Sequence, residues 1–162
     1  MMKNMKNRTP AFTLVEVMIV VIIVGILAAI AIPMYTSAAS VQLSAAANMI
    51  ASDLEYAKSM AISTGKNYQV VFDTTAESYC IQTAGATIAH PVRVGQNYAV
   101  TFASDSRLDK VDITSTTFGT GDTISFDYLG TPSVNNGEIV LTAQGGTMKV
   151  KIESVTGYIS IE

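Results

Sequence analysis

The chain has 162 residues, a length that suits one domain of ordinary size with a short additional element. Only 14% of its residues are charged, against roughly 25% in soluble domains, because residues 12–32 are almost continuously apolar. The net charge is −3, and the residues after position 11 carry seven bases and thirteen acids. An acidic body of this kind argues against nucleic-acid binding. The composition also argues against a disordered chain, a coiled coil, a disulfide-stapled miniprotein and a polytopic membrane protein.

The N-terminal segment consists of a basic leader followed by an apolar run. Residues 1–11 contain three bases and no acid, and residues 12–32 form the apolar run. As a helix, that run is long enough to cross a bilayer core of about 30 Å. The positive-inside rule then places the N-terminus in the cytoplasm and the body outside it. An ordinary secretory signal peptide, cut after Ala31, is the alternative, although the apolar stretch of such a signal is usually shorter.

One carboxylate, Glu16, stands near the start of the apolar run. An acid at the centre of a bilayer costs roughly 2.5–3.5 kcal/mol, and less near the interface. Two interpretations follow. Either Glu16 lies about one turn from the membrane edge and reaches the water around the headgroups, or it pairs with a positive group inside the membrane.

The junction between leader and run resembles a known processing signal. The sequence Ala-Phe-Thr-Leu-Val-Glu at residues 11–16, followed by the apolar run and Pro33, closely resembles the class III signal of type IV pilins and type II secretion pseudopilins. The resemblance implies that a prepilin peptidase cuts between Ala11 and Phe12 and methylates the new amino group of Phe12. It also implies that Glu16 neutralises the N-terminal amine of a neighbouring subunit during filament assembly. Ala11 stands where the family usually has glycine.

A helical pattern continues beyond Pro33, which is predicted to kink the helix. Six apolar residues recur there at spacings of three and four, and therefore share one helix face: Leu43, Ala47, Ile50, Leu54, Ala57 and Ala61. Asp53, Glu55 and Lys58 are predicted to lie off this stripe. We predict one long helix from Phe12 to Ser63.

The remainder of the chain alternates short β-type runs with turn residues. The predicted strands are Tyr68–Asp73, Ser78–Gln82, Thr123–Phe126, Glu138–Thr142, Thr147–Glu153 and Gly157–Ile161, of which the first two form a hairpin. Val92–Phe102 is a further candidate strand region, interrupted by Gly95. The predicted organisation is a leader at 1–11, a transmembrane or filament-core helix at 12–32, an amphipathic helix at 33–64 and a β-rich domain at 65–162. The fold class is therefore predicted to be α+β.

A second resemblance involves the body. The pairs Asp53-Leu54, Ala57-Lys58 and Ala61-Ile62, the run Ser125–Gly130 and the tripeptide Gly157-Tyr158-Ile159 are similar to the GspH/FimT family of minor pseudopilins. The resemblance implies a pilin-like fold, in which a long kinked helix packs on an antiparallel sheet. It implies a structural subunit of a periplasmic type II secretion pseudopilus that supports protein secretion.

The implied location is the inner membrane, crossed once, and afterwards the periplasmic filament. The implied partners are other pilin or pseudopilin subunits, prepilin peptidase, the inner-membrane assembly platform and membrane lipid. Two alternatives stay open. One is a type IV minor pilin, FimT-like and serving DNA uptake, and the other is a periplasmic binding or enzymatic domain on a single-pass anchor.

Candidate catalytic or ligand-binding residues are few. The single histidine, His90, is predicted to lie in a loop, and the single cysteine, Cys80, is predicted to be a small buried side chain in a strand. Asp105, Asp109 and Asp112 lack the regular oxygen spacing of a cation-binding loop and are predicted to be surface acids. We therefore predict no catalytic, cofactor-binding or metal-binding site and no enzymatic activity.

Direct binding of nucleic acid is also not expected. It requires clustered lysines and arginines that displace phosphate counterions. Lys149 and Lys151 share the polar face of one predicted strand, but Glu138, Glu153 and Glu162 lie near them in sequence.

Overall fold

A computed structural model describes residues 12–119 and 121–162, with the backbone alone at 30–37. The predicted leader, residues 1–11, lies outside the described residues. The chain divides after Tyr35 into an N-terminal unit and a second unit, Thr36–Glu162. The elements are α1 (Leu14–Thr64), β1 (Tyr68–Asp73), β2 (Ser78–Thr83), β3 (Ala86–Thr87), β4 (Ala99–Thr101), β5 (Val111–Thr117), β6 (Thr123–Phe126), β7 (Gly137–Ala143), β8 (Gly146–Ile152) and β9 (Ile159–Ile161).

The N-terminal unit contains the first part of α1. From Phe12 to Leu27, each large apolar side chain is exposed, by 51% to 79% of its surface. Among the described residues, no helix offers a stretch that is both long and apolar enough to cross a membrane. The predicted span at 12–32 ends among residues whose side chains lie outside the described ones, and it stays a prediction. Pro33 lies within α1, and its side chain belongs to the same stretch, so the kink also stays a prediction.

The part of α1 in the second unit buries the predicted apolar stripe. All six stripe residues are at most 3% exposed. Their spacing of three and four places them on one side of the helix. Burial of each leucine or isoleucine side chain there stabilises the fold by about 1.5–3 kcal/mol. Glu55 is exposed and Lys58 is half-buried. The prediction for Asp53 is wrong, because this aspartate is only 8% exposed.

Two antiparallel sheets complete the second unit. The first has the strand order β3-β2-β1-β6, with β4 also paired to β2, and the second has the order β5-β7-β8-β9. Within the first sheet, Val70 lies opposite both Ile81 and Ile124. Within the second, Ile139 lies opposite Val150. These residues are buried together with the helix stripe in one hydrophobic core, which confirms the predicted α+β class.

One predicted strand, Val92–Phe102, is wrong for most of its length. Only Ala99–Thr101 forms a strand, and Phe102–Ser104 forms a 3-10 turn. The chain turns earlier because the Nδ1 atom of His90 accepts hydrogen bonds from the backbone N–H groups of Val92 and Arg93, each at 3.1 Å. Such side-chain contacts compete with a strand ladder for the same backbone groups.

The sequence analysis does not predict strands β3 and β5. β3 has only two residues, too few for alternation to be visible. In β5 the pairing with β7 shifts register between Ile113 and Ser115, and a bulge of this kind breaks the alternation of apolar and polar residues. Cys80 lies in β2 as predicted, but it is half-buried rather than buried, and its Sγ accepts a hydrogen bond from Nε2 of Gln82 at 3.2 Å.

Candidate assembly site

The predicted processing and assembly residues lie around the start of α1. Ala11 lies outside the described residues. Phe12 precedes the helix and is 79% exposed, and Glu16 lies in the first helical turn. The structure therefore places Phe12 and Glu16 at one exposed helix end.

Thr13 caps this helix end. Its Oγ1 accepts a hydrogen bond from the backbone N–H of Glu16 at 3.2 Å, and its carbonyl oxygen accepts one from the backbone N–H of Val17 at 3.2 Å. A threonine followed three residues later by glutamate is the spacing of a capping box. The helix dipole also favours an acid in the first turn. Sequence reasoning missed this cap, although the Thr13–Glu16 spacing is a signal for it.

The electrostatic setting of Glu16 is unusual. It is the one charged residue in the sequence between Phe12 and Ser52, and its neighbours in the first turns are exposed apolar side chains. None of the ion pairs among the described residues includes Glu16. An exposed carboxylate on an otherwise apolar helix segment can accept one cation from outside its own chain.

In the second unit, Asp53 forms a buried polar centre. The hydroxyl of Tyr79 donates to its Oδ2 at 2.5 Å, and the hydroxyl of Tyr98 donates to its Oδ1 at 2.8 Å. Burial raises the pKa of Asp53, and this effect outweighs the hydrogen bonds from the two tyrosines and the nearby His90, which lower it. Burial likewise raises the pKa of Tyr79, and that of Tyr98, above the usual range.

Tyr98 joins a loop to α1. Its ring stacks on Tyr56 of the helix, with 5.5 Å between the ring centroids, and on His90 at 4.7 Å. His90 lies in the loop as predicted, and its Nδ1 accepts the two backbone hydrogen bonds described above. The chain between Ile88 and Tyr98 is thus held against the helix by one hydrogen bond and one ring contact, and the stack of His90 on Tyr98 braces the loop internally.

The motifs of the second resemblance converge at one place, here called the helix–turn junction and formed by Lys58, Ile62, Gly130 and Gly157. The Nζ of Lys58 donates to the carbonyl oxygen of Gly157 at 2.9 Å. A Cβ on Gly130 would lie 2.9 Å from Cδ1 of Ile62, and a Cβ on Gly157 would lie 2.8 Å from the carbonyl oxygen of Gly130. Both glycines have positive φ, +82° and +60°, so a side chain at either position would be strained by conformation as well as crowded.

Replacing Gly157 by alanine is expected to destabilise the chain by more than the left-handed conformation alone, which costs about 1–2 kcal/mol for a residue with a Cβ. The added Cβ meets a backbone oxygen that cannot move away as a flexible side chain would. Gly145→Ala is the matched control, because Gly145 has φ +83° and no atom within 4 Å of its Cβ position. Urea unfolding measures both variants. Equal losses would show that the close approach at Gly157 carries no energy.

Several charged residues of the second unit form ion pairs within their own chain. Lys149 lies 3.0 Å from Glu138 and Lys151 lies 2.6 Å from Glu162, so carboxylates balance the two cations of the polar strand face. Hydrogen bonds from Arg107 hold the pKa of Asp105 at about 2. Within the described ranges, no group of three histidine, cysteine or acidic residues has the arrangement of a metal site.

Comparison with known families gives two matches. The family model described as type II transport protein GspH matches residues 46–156, and the prokaryotic N-terminal methylation motif matches residues 6–32. The first match includes the Asp53 centre and nearly all of both sheets. No curated protein matches the chain in sequence.

Solved structures share the fold. The minor pseudopilin EpsH from the type 2 secretion system of Vibrio cholerae aligns with a TM-score of 0.56 and 12% identity, over 75% of this chain and 96% of EpsH. The type IV minor pilin FimU of Pseudomonas aeruginosa aligns with a TM-score of 0.52 and 19% identity, over 74% of this chain and 92% of FimU. Both similarities confirm the predicted pilin-like fold. Because the GspH model matches more than half of the residues, the chain belongs to the GspH family of type II transport proteins, which are pilin-like structural subunits.

Proposed function

We propose that this type II secretion pseudopilin joins its filament after a prepilin peptidase cuts the precursor between Ala11 and Phe12 and methylates the new amino group of Phe12. The observation that carries the proposal is the match of the N-terminal methylation motif to residues 6–32. The structure supplies a compatible geometry, since Phe12 is exposed and lies just before a capped helix start.

The apolar start of the helix then has two successive roles, in the membrane and in the filament. Residues 12–32 anchor the precursor once across the inner membrane, with the basic leader in the cytoplasm and the body in the periplasm, and they later pack in the filament core. The exposed apolar side chains of this segment support the proposal, because each Å² of apolar surface left in water costs roughly 25 cal/mol. Membrane lipid, the assembly platform and other pilin-like subunits are the partners that cover this surface in turn.

Glu16 selects the correct register of a neighbouring subunit. Its carboxylate pairs with the N-terminal amine of that neighbour as the two helices come together. Two charges that are costly alone in an apolar environment become tolerable as a hydrogen-bonded pair. The isolated position of Glu16 among apolar neighbours supports this role.

The processing step has a direct test. The full chain, expressed with prepilin peptidase, is expected to yield a mature chain that begins with N-methylated Phe12, and expression without the peptidase is expected to yield the intact precursor. Masses of the intact chain and of its N-terminal peptide measure both results.

The variant Ala11→Gly serves as the control for the cleavage junction, because class III signals usually have glycine at this position. A wild-type precursor that stays uncut while Ala11→Gly is processed would place the limitation at the Ala11 side chain. Two uncut chains would contradict the proposal and favour a single-pass anchored domain. A cut after Ala31 would identify an ordinary secretory signal instead.

A further inference from the structure

The helix–turn junction carries a group of exposed apolar side chains. Five large residues there are 53% to 77% exposed, and they are here called the junction patch: Ile62, Tyr128, Leu129, Val155 and Tyr158. A contiguous apolar patch on a soluble domain commonly marks a contact surface. Tyrosine is also enriched in protein interfaces.

The members of the junction patch are contiguous because two turns abut beside the end of α1. The side chain of Ile62 lies over Gly130, which follows Leu129, with 2.9 Å between Cδ1 and the position of a Gly130 Cβ. Gly157 precedes Tyr158 and lies close to the backbone of Gly130, because a Cβ added to Gly157 would be 2.8 Å from the carbonyl oxygen of Gly130. The turn that carries Tyr128 and Leu129 and the turn that carries Val155 and Tyr158 therefore lie side by side, next to Ile62.

Val155 is strained as well as exposed. Its φ is +70°, a conformation in which a β-branched residue is a genuine outlier. With 77% of its surface exposed, its side chain gains little from packing within its own chain. Backbone hydrogen bonds from Thr156 N–H to the Ser154 carbonyl oxygen, at 2.8 Å, and from Gly157 N–H to the Glu153 carbonyl oxygen, at 3.1 Å, close the turn around Val155. The turn therefore sets this φ, and residues held in sparsely populated conformations cluster at functional positions in proteins. The patch thus combines exposed apolar area with a strained valine. Asparagine, which is more polar, would adopt the left-handed conformation at this position with less strain than valine does.

The charges around the patch discriminate between partners. Glu55 and Glu153 are exposed. The ammonium of Lys58 donates to the carbonyl oxygen of Gly157 and lies 3.7 Å from Glu55. The carboxylate of Asp127 accepts hydrogen bonds within its own turn. Two copies of this chain that met through their patches would bring like charges together, which opposes association. An apolar surface bordered by basic side chains complements the patch.

We propose that the junction patch binds a second, different pilin-like subunit, whose contact surface is apolar with a basic border. This inference rests on the proposed function, since it requires a filament built from several such subunits. The patch lies outside the N-terminal helix segment, so it supplies a contact in addition to the one made by Glu16.

Site-specific photocrosslinking in the producing bacterium tests the partner. The full chain carries p-benzoylphenylalanine in place of Tyr128 or Tyr158, and a matched chain carries it in place of Val94, which is 97% exposed on another loop. We expect the two patch positions, and not position 94, to crosslink to a different protein that bears the N-terminal methylation motif. A crosslink to a second copy, to a protein without that motif, or equally from position 94 would overturn the proposal, as would no crosslink.

The variant Val155→Asn separates binding from folding. Asparagine adopts positive φ readily, so the melting temperature of the full chain in detergent is expected to stay level or to rise by about 2–4 °C. In a chain that also carries p-benzoylphenylalanine at position 158, the crosslink yield is expected to fall at least tenfold. An unchanged yield in this folded variant would contradict a role for Val155 in the contact.

Failure of the patch is distinguishable from failure of the proposed function. If secretion depends on Glu16 but the patch positions give no crosslink, the chain assembles through other surfaces and the patch inference alone is overturned. If secretion is independent of Glu16, the assembly role proposed for the N-terminal helix is itself contradicted.

Discussion

Replacing Asp53 by alanine is expected to lower the free energy of unfolding by about 2–4 kcal/mol, because two hydroxyl groups lose their acceptor. Each buried donor left without a partner costs about 1–3 kcal/mol. Tyr79 and Tyr98 donate to separate oxygens of this one carboxylate, so the single substitution affects both. Urea unfolding of the full chain in detergent, followed by tyrosine circular dichroism, measures the loss.

The control is Glu55→Ala, two positions further along the same helix. Glu55 is exposed and lies 3.7 Å from Lys58, a surface pair worth less than about 1 kcal/mol. Tyr98→Phe keeps the ring contacts of Tyr98 and removes one hydrogen bond, so it is expected to cost less than Asp53→Ala. An Asp53→Ala chain as stable as Glu55→Ala would refute the structural role of the carboxylate.

The pH dependence of stability gives a second readout of the same centre. Burial raises the pKa of Asp53 in the folded chain above its ordinary value of 3.8. At a pH between the pKa of Asp53 in the unfolded chain and its higher pKa in the folded chain, the folded state holds a proton that the unfolded state has released. The free energy of unfolding therefore falls as pH rises through this window. The contribution is fully present below 3.8. The Asp53→Asn variant is expected to lack this part of the pH dependence.

The helix stripe and the Asp53 centre differ in how far they can be predicted from sequence. The stripe is predictable because spacings of three and four are local to one helix, and burial of its six members confirms the prediction. The tyrosine partners of Asp53 lie 26 and 45 residues along the chain. No local pattern records such contacts, and an aspartate beside Glu55 resembles part of a solvated helix face.

The sheets show the same limit. Strands with clear alternation, such as β1 and β8, are predicted within a residue or two. Residues 92–98 belong to the candidate strand region, but a side-chain acceptor on His90 turns the backbone away. The bulge in β5 is set by its pairing with β7, which is a tertiary contact. Motif resemblance recovers what periodicity cannot, because Lys58 and Gly157 are 99 residues apart and yet in contact.

Replacing Glu16 by leucine is expected to abolish filament assembly and secretion while the chain still enters the membrane. The substitution would leave the amine of a neighbouring subunit unpaired in apolar surroundings, which costs about 3–5 kcal/mol. That energy corresponds to more than a hundredfold in the association constant. Secreted substrate in the medium and the amount of chain in the membrane fraction measure the two effects. Val15→Leu is the matched control, since it makes a similar apolar side chain at the adjacent exposed position.

Glutamate at position 16 also has a purely local explanation, which the structure allows to be tested separately. Thr13 caps the helix through the backbone N–H of Glu16, and glutamine serves in a capping box as glutamate does. Glu16→Gln therefore preserves the helix start and removes only the charge. Thr13→Val does the reverse, because it removes the cap and keeps the carboxylate. A role in helix initiation predicts normal secretion for Glu16→Gln and impaired secretion for Thr13→Val. Pairing of the carboxylate between subunits predicts the opposite order, with Glu16→Gln nearly as defective as Glu16→Leu.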